Sequence, residues 1–159
     1  MDMTALARTL LESVPAHRTA RMEVLRAVDG EAVLACETPA DLTNVIGSLH
    51  SSGLIALLDA AGLGAVIASG PHAEALNRIV PLGTAAALDF LAPARGRLVA
   101  ACRLDEEARH ALYPLWTGET HRARLSTRAE ITDAAGTVVC QGTFDWSVRR
   151  TPSGEASRP

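Results

Sequence analysis

The chain has 159 residues, 48% of them hydrophobic and 21% charged, which suits one domain with a full hydrophobic core. Its formal net charge of −3 speaks against a nucleic-acid-binding surface, and its 15 basic residues are all arginine. The start, MDMTALARTLLESVP, lacks the basic opening and apolar run of a signal peptide. Cys36, Cys102 and Cys140 are scattered and make no CxxC, as expected of reduced thiols in a cytoplasmic protein.

In chain order, residues 2–13 read as a short amphipathic helix with Leu6, Leu10 and Leu11 on one side, ending before Pro15. Arg21 to Ala27 alternates as a strand. Asp29-Gly30 is a hairpin turn whose central positions tolerate positive φ, and Glu31 to Glu37 returns. Pro39 and Asp41 mark a loop. From Asn44 the chain reads NVIGSLHSSGLIALLDAAGLG, and Gly53 to Ala68 is an apolar run broken only by Asp59. With no polar face, such a run predicts a helix buried on all sides; it is too short and glycine-rich for a bilayer span. A carboxylate inside it is costly unless paired or hydrogen-bonded.

Ser69-Gly70-Pro71 stops the helix, and His72 to Val80 carries no clear pattern. Gly83 to Leu91 and Arg97 to Leu104 read as strands separated by Pro93 and Gly96. Asp105 to Trp116 reads as a helix that Asp105 caps. Thr120 to Thr132 alternates, with Ala123, Leu125, Ala129 and Ile131 on one face and Arg122, Arg124, Arg128 and Glu130 on the other. A hairpin loop at Asp133–Gly136 leads to a last strand, Val138 to Val148, and the polar residues 150–159 read as a disordered tail. The expected domain is α+β: about six strands covering one long helix.

This order, with Asn44, Gly47 and His50 spaced as N-x-x-G-x-x-H and Asp59 nine residues after His50, resembles the hotdog-fold PaaI-like acyl-CoA thioesterases, a branch near the 4-hydroxybenzoyl-CoA thioesterases. The stretch Leu88-Asp-Phe-Leu-Ala-Pro-Ala-Arg-Gly96 and the final hairpin are similar to the same family, so the resemblance spans about residues 19–149, after a helix in 1–18. It implies an antiparallel sheet wrapped around the central helix, and a homodimer or dimer of dimers. It implies hydrolysis of an acyl-CoA or other acyl thioester, with coenzyme A entering only as part of the substrate and no metal. Asp59 is then the general base, or less often the nucleophile, working across the dimer interface with Asn44, His50 and Ser51 of the partner subunit. Burial among Leu54, Ile55, Leu58 and Leu63 would strengthen it as a base. N–H groups from Ser51 to Gly53, at the positive end of the helix, polarise the thioester carbonyl.

The family has two glycines after the histidine where this chain has Ser51 and Ser52, which places hydroxyls beside the substrate. The resemblance further implies that Gly47, Ser52, Gly53 and Thr84 line the substrate site and that Arg95 and Arg97 meet the phosphates of coenzyme A. Each has a plainer reading: Asn44 a turn former, His50 a helix-entry residue, the serines helix caps, Thr84 a strand residue and the arginines solvated turns. Asp59 alone could be a hydrogen-bonded structural acid. A hotdog domain that only binds acyl-CoA or an acyl-carrier protein is the alternative from another class. A hotdog hydratase needs an Asp and a His together at the helix start, which the spacing does not provide. His72, His110 and His121 are isolated, and Gly62-Leu-Gly-Ala lies inside the helix, so neither a metal site nor a dinucleotide loop is expected.

Overall fold

The computed structural model describes residues 2–151. Asp2 caps the first helix, α1 (Met3–Leu11), by accepting from Thr4 N–H, and Pro15 starts a second short helix, α2 (Pro15–Thr19), at the helix position that needs no N–H. That second helix is absent from the sequence expectation. β1 (Glu23–Val28) and β2 (Glu31–Glu37) form the first hairpin, and Asp29 and Gly30 both take positive φ, 51° and 71°, as the turn chemistry required.

The central helix, α3 (Ser51–Ala68), packs on β2, β4 (Arg97–Arg103) and β5 (Arg122–Thr132). β3 (Ile79–Phe90) follows it, and α4 (Glu106–Thr117) joins β4 to β5. Asp105 caps α4 by accepting from Ala108 N–H at 2.8 Å, and Gly118 ends it in the left-handed region. The last strand, β6, spans Val138–Arg150. The strand therefore reaches Arg150, where the sequence suggested that a tail begins; the remainder of that tail, 152–159, lies outside the described residues.

The six strands run β1-β2-β4-β5-β6-β3, every neighbouring pair antiparallel. A sheet of this order curled around one helix is the hotdog fold. Alternation on β5 is complete: Ala123, Leu125, Ala129 and Ile131 are buried under the helix, while Arg122, Arg124, Arg128 and Glu130 face out. Leu57, Leu58, Leu34, Leu98 and Ile131 form the middle of the core, each no more than 1% exposed.

α3 departs from the sequence expectation in two respects. With 18 residues it is, by length and composition alone, long and apolar enough to cross a membrane, where the sequence suggested a run too short to do so; 67% of it is buried within the fold. Yet one stripe is open, running along Ser52, Ile55, Asp59 and Leu63 at helical spacing. The helix is not enclosed on all sides in a single chain. Edge strand β3 is open too: it pairs only with β6, and Val80, Leu82 and Phe90 are 39%, 50% and 54% exposed.

Candidate active site

The loop before α3 is organised by Asn44. Its Oδ1 accepts from Ile46 N–H and Ser48 N–H, both at 3.1 Å, and its N–H donates to Ser48 O. Gly47 closes the turn at φ +72°, where a side chain would be strained. Buried Ser48 accepts from Ala94 N–H at 2.8 Å, and Arg95 donates to Ile46 O at 2.8 Å, so the loop is tied to the turn after β3. Asn44 is thus a turn former, and its Nδ2 donors take no part in that turn.

His50 is the N-cap of α3. Its Nδ1 accepts from Ser52 N–H at 3.1 Å and lies 2.8 Å from Ser52 Oγ. With Nδ1 accepting, the neutral ring carries its hydrogen on Nε2, which faces away from the cap. His50 O takes the N–H groups of Gly53 and Leu54. Of the first helical donors this leaves Ser51 N–H without a partner among the described residues. It is the open donor at the positive end of an 18-residue helix. Gly53 is required by packing: a Cβ there would stand 2.7 Å from Leu49 Cδ1.

Beside this helix start is a cleft of about 360 Å³ lined by Asn44, Ile46, Ser51, Leu54, Phe90 and Pro93. Larger clefts, of about 550 and 420 Å³, lie elsewhere, along outward-facing residues such as Glu31, Arg103, Arg128 and Gln141, or Arg124 and Asp145. None of the three contains Asp59. Among the described residues no three His, Cys, Asp or Glu side chains cluster as metal ligands would.

Asp59 lies two turns along α3 from Ser51, about 12 Å at 1.5 Å per residue. Its side chain is 32% exposed on the open stripe. Leu54 and Leu58 are buried on other sides of the helix and Ile55 is 41% exposed, so the apolar enclosure expected from these neighbours is incomplete in one chain. Among the described residues the carboxylate has one ionisable neighbour: Oδ2 is 3.4 Å from Nε2 of His17, on α2. The sequence reading missed His17 altogether. Nothing local marks it, since its partner is 42 residues away.

The remaining candidates are dispersed. Thr84 occupies the bulge in β3, donates its hydroxyl to Asp145 O at 3.1 Å, and opens on the cleft with Arg124 rather than the one at the helix start. Arg97 is bound to Glu23 at 2.6 Å and Glu37 at 3.4 Å, and these carboxylates raise its pKa further. Its guanidinium is engaged within the chain. Ser52 is held by His50, whereas Ser51 is exposed at the cleft. The chain therefore brings Asn44, Gly47, His50, Ser51, Ser52, Gly53 and Arg95 together around one helix start, with Asp59 apart from them and Thr84 and Arg97 elsewhere.

Solved structures of similar shape agree with the fold. Protein PA5026 of Pseudomonas aeruginosa, described as a probable thioesterase, is 26% identical with TM-score 0.74, covering 92% of this chain and 95% of that one. The E. coli PaaI protein from the phenylacetic acid degradation operon is 17% identical with TM-score 0.65, over 92% and 95% of the two chains. A hypothetical thioesterase of Streptococcus pneumoniae, solved with coenzyme A, is 18% identical with TM-score 0.63, over 86% and 94%. No curated protein matches the chain in sequence. Residues 3–148 match the family described as Domain of unknown function (DUF4442), and the chain belongs to that family.

Proposed function

We propose that the protein hydrolyses acyl thioesters, acyl-CoA foremost, in a site completed by a second copy of the chain. The observation that carries this reading is the separation within α3. An open donor, Ser51 N–H, and the acid Asp59 lie about 12 Å apart on one helix, too far to serve one carbonyl group. Ser51 is exposed and Asp59 half-buried, and the edge strand beside the helix start leaves apolar residues such as Phe90 uncovered. A two-fold pairing sets the helix start of one subunit against Asp59 of the other and covers that surface. The hotdog relative solved with coenzyme A supports the choice of thioester.

In the reaction, Asp59 takes a proton from water as the water oxygen attacks the thioester carbon. The oxyanion is held by Ser51 N–H of the partner subunit, at the positive end of the helix. The carbon–sulfur bond then breaks, and the leaving thiolate takes the proton from Asp59. Asn44 Nδ2 and His50 Nε2, both free of the loop's own bonding, orient the water or the carbonyl. The competing reading is a module that binds acyl-CoA or an acyl-carrier protein without turnover; the Ser51 hydroxyl exposed at the cleft favours it.

Subunit complementation tests the two-chain site. Asn44→Asp keeps the acceptor that Ile46 and Ser48 need and replaces the amide donors with a carboxylate oxygen, so its loop is preserved. Asp59→Asn and Asn44→Asp are each inactive. Mixed dimers have one intact site in every heterodimer, which restores about one quarter of the wild-type sites. No recovery after verified subunit exchange contradicts a site shared between chains.

A further inference from the structure

We infer that His17 is a positioning residue for Asp59: a buried imidazolium that holds one carboxylate oxygen and leaves the other free to act. The inference rests on the thioesterase reading for its catalytic meaning, and on proton counting for its geometry. His17 is 3% exposed. Its Nδ1 lies 2.9 Å from Leu11 O, at the C-terminal end of α1. A carbonyl oxygen only accepts, so Nδ1 carries a hydrogen. Nε2 faces Asp59 Oδ2 at 3.4 Å. In the neutral ring that nitrogen is a bare lone pair, which an ionised carboxylate repels. The arrangement needs one more proton between the two groups. An Asp59 that accepts a proton from water must be ionised, so the extra proton belongs on His17.

The contact is long for a hydrogen bond, as catalytic contacts often are before the substrate is bound. Among the described residues no other charged group competes for it. On α1, Arg8 and Glu12 lie 3.7 Å apart and are both bonded to the backbone of Val24. Arg18 on α2 is exposed, and Arg21, just after it, pairs with Asp41 at 3.6 Å. Glu23 on β1 is engaged by Arg97, and His50 at the head of α3 is engaged by Ser52. The strand residues that α3 covers are apolar apart from Thr127, whose hydroxyl is held by Trp146. Among the described residues, His17 is the one ionisable side chain of basic type within 4.0 Å of the Asp59 carboxylate. Oδ1 of Asp59 has no partner among the described residues and is the oxygen left to take the proton from water.

The two halves of the histidine can be separated. His17→Asn keeps a donor for Leu11 O and cannot reach Asp59. His17→Gln places an amide donor near the Nε2 position. His17→Asn lowers kcat at least 10-fold with KM within 2-fold, whereas His17→Gln stays within about 5-fold of wild type. A folded His17→Asn with wild-type kcat overturns the inference.

A second measurement needs neither variant of His17 nor any turnover. Nitrogen NMR of the imidazole shows both ring nitrogens of His17 protonated at neutral pH in wild type, and only Nδ1 protonated in Asp59→Asn. A neutral His17 in the wild-type chain overturns the pairing whatever the activity assays give. Two protonated nitrogens in a protein that turns over no thioester keep the pairing and remove the thioesterase reading instead.

Discussion

Gly62 is a point of close approach of α3 to β5 and β6, and its replacement by alanine gives a sign that helix propensity alone gets wrong. A Cβ at Gly62 would stand 2.6 Å from Thr127 Oγ1 and 3.2 Å from Trp146 Cζ2. Thr127 is 4% exposed, and its hydroxyl accepts from Trp146 Nε1 at 2.9 Å. Alanine is favoured over glycine inside a helix by about 0.8–1.0 kcal/mol. Against this, a methyl forced into a filled core costs about 1–3 kcal/mol. If Thr127 turns away instead, the buried indole N–H loses its acceptor, again at about 1–3 kcal/mol. Either escape outweighs propensity, and Gly62→Ala destabilises by about 1 kcal/mol, a fall in Tm of roughly 2–4 °C for a domain of this size. Thr127→Ala removes the colliding oxygen. In that background Gly62→Ala becomes neutral or stabilising, so urea unfolding of the four proteins shows a coupling of about 1 kcal/mol or more. A stabilising Gly62→Ala in the wild-type chain, or strict additivity, refutes the close packing of helix on sheet.

Burial pushes the thiols of Cys36 and Cys140 from 9.0 up to about 11 and that of Cys102 up to about 12. The unfolded chain therefore loses these protons first, so their contribution to stability is full below about pH 9 and falls as pH rises toward 11 to 12. Urea midpoints measured from pH 8 to 11 decline more steeply in wild type than in a triple Cys→Ala protein; parallel curves contradict this. The same burial makes a thiol dye usable on the folded protein, since protonated, inaccessible thiols react slowly. Asp105→Ala removes the cap of α4 and costs about 1 kcal/mol in the same unfolding assay; an unchanged midpoint means that Ala108 N–H finds another acceptor. Sedimentation gives a dimer or a dimer of dimers, never the 16.7 kDa chain alone at micromolar concentration; a monomer removes the two-chain site.

The fold was legible because its signals are local. Alternation in Arg122–Thr132 separates an arginine face from a core face, Asp29-Gly30 dictates a turn, and Asp105 with Glu106 and Glu107 announces a helix. The helix start was legible through the spacing of Asn44, Gly47 and His50, and their hydrogen bonds show why: each fixes the loop or caps the helix. Three features were not. α2 has only five residues, too few to display a period, and Pro15 reads as a stop when it is in fact a start. His17 gains its meaning only from a contact 42 residues away. The open stripe of α3 is apolar apart from Ser52 and Asp59, so hydropathy cannot distinguish it from core. Arg97 shows the converse: a basic residue beside a turn suggests a phosphate, and Glu23 and Glu37 across the sheet claim it.

Hydrolysis of a panel of short, long and aryl acyl-CoAs by wild type beside Asp59→Asn tests the central claim most directly. The substitution is nearly isosteric, keeps an oxygen and a nitrogen on the open stripe, and removes the base. Wild type turns over at least one member of the panel, and Asp59→Asn loses about 10²–10⁴-fold in kcat with its fold intact. Full activity in Asp59→Asn, or acyl-CoA bound but unhydrolysed by wild type, contradicts the account and leaves a binding module in its place.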